Sequence, residues 1–164
     1  MPGALSDFLQ ADHARLDEIL TRAAARSPID FGSFDQFREG LLRHIAMEEK
    51  VLLPDARRRR GGAPLDIAKQ LKADHAAIAA LLVPTPTPEL IAKLRDVLAV
   101  HNPLEEGPGG LYELCEGLAG EESAALLSRI RAIPKVPIAP YFDGPRAFTN
   151  IELLLRARAS ADVT

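Results

Sequence analysis

Apolar residues recur at helical spacing along nearly the whole chain, and the β-branched alternation that marks strands is hard to find. The pattern predicts an all-α fold. A first helix is expected from Asp7 to Arg26, capped by Ser6 and stopped by Pro28, because the residue before a proline is pushed out of the α region. A second is expected from Phe34 to Arg58, opened by Ser33 and Gln36 as a capping box, with Pro54 imposing a kink or an early end. The third runs from Pro64 to Leu82. The fourth starts at Pro88 under a Thr87 cap, and must kink or end where Pro103, Gly107, Pro108, Gly109 and Gly110 interrupt it. Further helices are expected from Glu121 to Ile133 and from Ala147 to Ala159, separated by an extended proline-rich segment.

The apolar stripes of the first four helices carry a repeat. Leu9-Gln10-Ala11-Asp12-His13-Ala14 in the first helix resembles Leu71-Lys72-Ala73-Asp74-His75-Ala76 in the third. His44-Ile45-Ala46-Met47-Glu48-Glu49 in the second resembles His101-Asn102-Pro103-Leu104-Glu105-Glu106 in the fourth. The chain thus contains two related helix pairs. Packed antiparallel, they predict an up-down-up-down four-helix bundle with approximate two-fold symmetry over residues 1–118. Residues 119–164 are expected to form a helical and proline-rich extension, packed on the bundle or on a second subunit of a homodimer. Within the stripes, Leu9, His13, Leu16 and Leu20 share one face, as do Leu71, His75, Ile78 and Leu82. Phe37, Leu41, His44, Glu48 and Val51 share another, matched by Leu90, Leu94, Val97, His101 and Glu105. Four histidines and two glutamates therefore point into the predicted core.

Composition narrows what this constellation can be. A formal charge of -3 and a pI near 5.8 give no general attraction to phosphate backbones, so nucleic acid is not an expected partner. With no long apolar run and no basic, apolar leader, the chain reads as a cytoplasmic protein without a membrane partner. The single cysteine, Cys115, excludes an intramolecular disulfide and a thiolate-rich zinc or iron–sulfur site, and is expected to be an inert, partly buried thiol. Metal chemistry must then use histidine and carboxylate, and all four histidines already lie in the repeat. Burying two carboxylates together without compensation costs several kcal/mol, which a pair of cations removes. Imidazole and bridging carboxylate without thiolate suit iron, or manganese, better than structural zinc.

The ordered set His13, His44-x-x-x-Glu48, His75 and His101-x-x-x-Glu105 resembles the hemerythrin family, in particular its hemerythrin-like HHE cation-binding domain, over about residues 5–118. The Glu-x-x-His motif of ferritin-like bundles is absent: Gln10, Leu41, Lys72 and Leu98 stand three residues before the histidines. The resemblance implies two non-heme iron ions, one on His13 and His44, the other on His75 and His101, bridged by Glu48 and Glu105. It also implies O₂, peroxide or NO as the small ligand. This chain departs from the oxygen carriers of the family at two places. Ala79 stands where they place a second third-helix histidine, and their Asp five residues after the fourth-helix histidine corresponds to Glu106, with Glu105 at four. With two imidazoles, two carboxylate oxygens and a bridging solvent on each iron, about one position per iron stays open, which favours reaction with O₂ or peroxide over reversible carriage. Binding, storage or sensing of O₂, NO or iron without turnover is the alternative. Asp17, Glu106, Tyr112 or Tyr141 could add a ligand, and Asp12 and Asp74 could accept hydrogen bonds from imidazoles on neighbouring helices.

Overall fold

The computed structural model describes residues 3–161, and among them all regular structure is helical. The helices are α1 (Ala4–Ala24), α2 (Phe31–Met47), α3 (Leu53–Arg59), α4 (Ala68–Leu81), α5 (Pro88–Glu106), α6 (Leu111–Ala119), α7 (Ser123–Arg131) and α8 (Pro145–Ala161). Helix α1 packs on α2, α5, α6 and α7, while α4 packs on α5 and α8. Among the described residues, no helix is long and apolar enough to cross a membrane.

Several boundaries differ from the sequence expectation, each for a local reason. Ser6 does not cap α1; it is buried inside the helix, and Gly3 takes the cap position. The first-turn N–H groups of Gly3 and Ser6 instead donate to the Glu116 carboxylate of α6, so a long-range acid does the work of a local hydroxyl. Helix α2 starts earlier than Ser33 because Asp30 is the better acceptor, taking the Ser33 N–H at 3.2 Å and the Ser33 hydroxyl at 3.0 Å. The third-helix pattern begins at Ala68, preceded by a turn in which the Ala68 N–H reaches Leu65. Thr87 caps α5 as expected, accepting from the Leu90 N–H at 3.1 Å.

The two prolines beside the repeat act differently. Ahead of Pro54 the helix widens into a π turn over Glu48–Leu52, in which the Leu53 N–H reaches back five residues to the Glu48 carbonyl. Such a turn accommodates a ring that cannot donate to the carbonyl four residues back. Pro103, by contrast, does not end its helix: α5 runs through it to Glu106 before Gly107. Glu105 therefore stays one turn from His101 on the same face.

The apolar core is split in two. One cluster gathers Leu9, Met47, Leu71, Leu111 and Ile130, and the other Leu16, Leu41, Ile78, Leu81 and Val97. Each histidine falls between a residue of one cluster and a residue of the other: His13 between Leu9 and Leu16, His44 between Leu41 and Met47, His75 between Leu71 and Ile78. The histidines thus form a polar layer sandwiched by leucine-rich packing. Each fully buried leucine or isoleucine contributes about 1.5–3 kcal/mol, so the layer is held by its flanks.

One helix, ahead of the C-terminal extension, falls outside the sequence expectation. Residues 107–110 break the chain, and α6 follows, with Leu111, Tyr112, Cys115 and Ala119 buried. Helix α7 lies within the expected Glu121–Ile133 segment, and α8 packs along α4.

Candidate metal centre

Helices α1, α2, α4 and α5 each deliver one histidine to the polar layer, with Glu48 from the π turn and Glu105 from α5, and all six side chains are buried. All four Nε2 atoms meet the two carboxylates. Glu105 Oε1 lies 3.2 Å from His13 Nε2, while its Oε2 lies 3.2 Å from His75 Nε2 and 3.0 Å from His101 Nε2. Glu48 Oε2 lies 3.5 Å from His44 Nε2, and its Oε1 lies 3.3 Å from His75 Nε2. Each carboxylate therefore turns one oxygen to the His13/His44 side and the other to the His75/His101 side. Two overlapping groups have ligand atoms within 4.8 Å of one another: His13, His44, Glu48 and Glu105, and His75, His101 and Glu105.

The outer nitrogens face a second set of acids. His44 Nδ1 is 2.8 Å from Asp12 and His101 Nδ1 is 2.9 Å from Asp74, the same bond made twice at repeat-related positions. His13 Nδ1 is 3.0 Å from Glu106, and His75 Nδ1 is 3.8 Å from Glu49. A carboxylate on Nδ1 holds the proton there and leaves the Nε2 lone pair free for a cation. Asp74 is itself held by Gln70 Nε2 and by Arg158 Nε of α8, each at 2.8 Å. The C-terminal helix thus reaches the cluster through one intervening aspartate.

Of the four residues offered as additional ligands, Tyr112 lies deepest in the centre. Its hydroxyl donates to Glu48 Oε2 at 2.9 Å and lies 3.0 Å from His44 Nε2, 3.2 Å from His13 Nε2 and 3.4 Å from Glu105 Oε1. It touches the whole first group from α6, a helix whose apolar spacing of Leu111, Cys115 and Ala119 was the available signal. Glu106 touches the outer face of His13, and Glu105 occupies the interior. Asp17 stands apart, 71% exposed and paired with Arg95. Tyr141 also stands apart, donating to Asp35 and lying under the Arg38 guanidinium. Glu49, Gln70 and Arg158 were not singled out by the sequence: Glu49 and Arg158 meet partners on other helices, and Gln70 meets Asp74 one turn along α4 at a position outside the apolar stripe.

Electrostatics record the crowding of acids and imidazoles. Burial works against charged imidazole, yet the surrounding carboxylates outweigh it, raising His13 and taking His44 to about 10, His75 to about 12 and His101 to about 9. Burial would raise Glu105, but hydrogen bonds from His101, His13 and His75 hold it well below the usual carboxylate range. Burial and the charges of Glu48 and Glu105 push the Tyr112 phenol well above its own. Even so, Glu48 Oε1 is buried and forms no hydrogen bond among the described residues, its approach to His75 Nε2 being a charge contact only. An orphaned carboxylate oxygen facing imidazole lone pairs is a donor set suited to a divalent or trivalent cation.

The family model of the hemerythrin HHE cation-binding domain matches residues 4–119, and the chain belongs to the hemerythrin family. Neither the curated proteins nor the solved structures compared with the chain give a match. The domain is one that binds metal cations, and the buried His/Glu cluster can hold them.

Proposed function

We propose that the chain is a non-heme di-iron protein that binds and reacts with O₂ or peroxide. In this reading His13 and His44 hold one iron, His75 and His101 the other, and Glu48 and Glu105 bridge them. The observation that carries it is the two-sidedness of the carboxylates, each with one oxygen toward each imidazole pair. The bound pair would supply the paired one-electron changes that reduction of O₂ or disproportionation of peroxide needs. The repeat extends to the scaffold: we assign α1–α2 and α4–α5 as related halves of an up-down-up-down bundle, supported by the matched Asp12–His44 and Asp74–His101 bonds.

The chain's own residues make the two halves unequal. On the His13/His44 side Tyr112 adds a phenol kept protonated by burial and by the charges of Glu48 and Glu105, and a cation there would offset the carboxylate part. Tyr112 Oη then serves as a ligand or as a hydrogen-bond donor to a small molecule beside His13. The His75/His101 side has no such group and is closed by Asp74 and Arg158. Leucines on both flanks keep bulk water from the layer, slowing loss of metal and unwanted oxidation. The lone buried thiol fits a reducing, cytoplasmic setting.

The test is an optical one. Iron(II)-loaded chain is exposed to O₂ and, separately, to peroxide. A new visible band with O₂, or O₂ released from peroxide, supports the reading, and a band that disappears under argon selects carriage. Tyr112→Phe should alter the spectrum of the oxidised form. No optical response and no O₂ release overturn the reading.

A further inference from the structure

A cavity of about 440 Å³ lies between α1, α2 and α5 and ends against the metal centre at His13 and Glu106. That volume is in the range of organic-ligand pockets, roughly 300–1,000 Å³, and far exceeds what a diatomic fills. Its length is walled by Leu16, Leu20, Phe37, Leu41 and Leu98. Its ends differ. One end carries His13, Asn102 and the Glu106 carboxylate, and the other carries Arg95 beside Asp17. We propose that this slot binds a medium-chain carboxylic acid, with the carboxylate on Arg95 and the methyl end beside His13.

Three observations set the class and the orientation. Arg95 is the only Lys or Arg lining the slot, whereas the far end presents the Glu106 carboxylate already engaged by His13 Nδ1 at 3.0 Å, so a carboxylate belongs beside Arg95. Arg95 spends two of its N–H groups on contacts of 3.3 Å, to Asp17 and to Thr21. The remaining donors of its five-donor fork are open to a carboxylate. The competing Asp17 is highly exposed, so its pair is solvent-screened and easily shared. From Arg95 to Asn102 the helix rises roughly 10 Å, which matches an extended chain of about eight carbons. The inference goes beyond the iron reading, because slot and guanidinium need no cation to bind the acid.

The test uses octanoate and 1-octanol, titrated calorimetrically into the full chain with and without iron. Octanoate should bind saturably, one per chain, and more tightly than octanol. Arg95→Gln should weaken it about tenfold, the loss of one charge-assisted contact. Ala99→Trp, at an exposed position on the slot's rim, should abolish it. Arg95 also borders a separate groove with Ile29, Phe31 and Ala92, so Ala92→Trp, which obstructs that groove, should leave binding intact. With iron(II) bound, the ligand's terminal methyl protons should broaden more than those beside its carboxylate. Absence of binding, equal affinity for octanol, loss in Ala92→Trp but not Ala99→Trp, or the reverse order of broadening overturns the proposal. A chain that fails to take up iron but still binds octanoate leaves this proposal standing while the iron reading falls.

Discussion

Asp12 and Asp74 hold the same place in the repeat and make the same bond to a histidine, yet replacing them should have very different costs. Asp74 is fully buried and accepts from three groups at once: His101 Nδ1 at 2.9 Å, Gln70 Nε2 at 2.8 Å and Arg158 Nε at 2.8 Å. Burial would raise its carboxyl, but these partners hold it below the usual range, so it is charged. Asp74→Ala strands a guanidinium, an amide and an imidazole inside the protein, and breaking such a buried charged network costs about 3–5 kcal/mol. Asp12 is 13% exposed and its second partner, Arg15, is 51% exposed, so the freed guanidinium simply turns to water. What remains is one unpaired, buried His44 Nδ1, at about 1–2 kcal/mol. For a domain of this size each kcal/mol moves the midpoint by about 2–4 °C, which gives losses of about 6–20 °C for Asp74→Ala and about 2–8 °C for Asp12→Ala. Thermal unfolding of the iron-free chain, followed by far-ultraviolet circular dichroism, measures both. Arg158→Ala should reproduce part of the Asp74 loss. Equal losses for the two aspartates, or a larger one for Asp12, would refute the role given to α8.

Iron itself should stabilise the fold. At free iron(II) a hundredfold above its Kd the gain is about 2.7 kcal/mol, or roughly 5–11 °C, and chelator-insensitive melting would contradict a site built from four helices. The histidine shifts set a pH dependence of definite sign. Folded pKa values of about 9 to about 12 for His101, His44 and His75 lie above the ordinary 6.5, so the iron-free chain has this stabilisation in full below about 6.5 and loses it as pH rises through about 9 and beyond. Cations compete with those protons, so iron(II) affinity should rise between pH 6.5 and 9 with proton release; a flat affinity is the adverse result. Burial, reinforced by Asp55 and Glu48, pushes the Cys115 thiol up to about 12, so iodoacetamide should label it only after unfolding. Prompt labelling of the folded chain would contradict its placement.

The histidine layer was legible because helix periodicity and an internal repeat both constrain a face, and neither needs long-range information. His13, His44, His75, His101, Glu48 and Glu105 all fall on stripes that periodicity alone turns inward. Asp12 and Asp74 were legible as candidates because each sits one residue before an inward histidine. Tyr112 was visible only as one of several possible donors, since its approach depends on where α6 folds back after Gly107 and Gly110. Arg158 and Glu116 were invisible for the same reason: each satisfies groups about a hundred residues away, Arg158 on Asp74 and Glu116 at the start of α1. Local rules also misjudged helix starts wherever a distant carboxylate replaced a local cap, as Glu116 does for Ser6. The fourth helix ends inside the expected Pro103–Gly110 stretch, at Glu106 before Gly107, and because α5 continues through Pro103 the His101–Glu105 spacing is kept.

The central claim is that one buried His/Glu layer holds a pair of irons. Metal analysis of the full chain, loaded anaerobically with iron(II) and desalted, tests it most directly. The account predicts about two irons per chain, as in other carboxylate-bridged helical bundles, falling to about one or fewer in Glu48→Ala and Glu105→Ala and unchanged in Asp17→Ala. Fewer than about one iron per chain in the unaltered protein, or a content indifferent to Glu48 and Glu105, would contradict it.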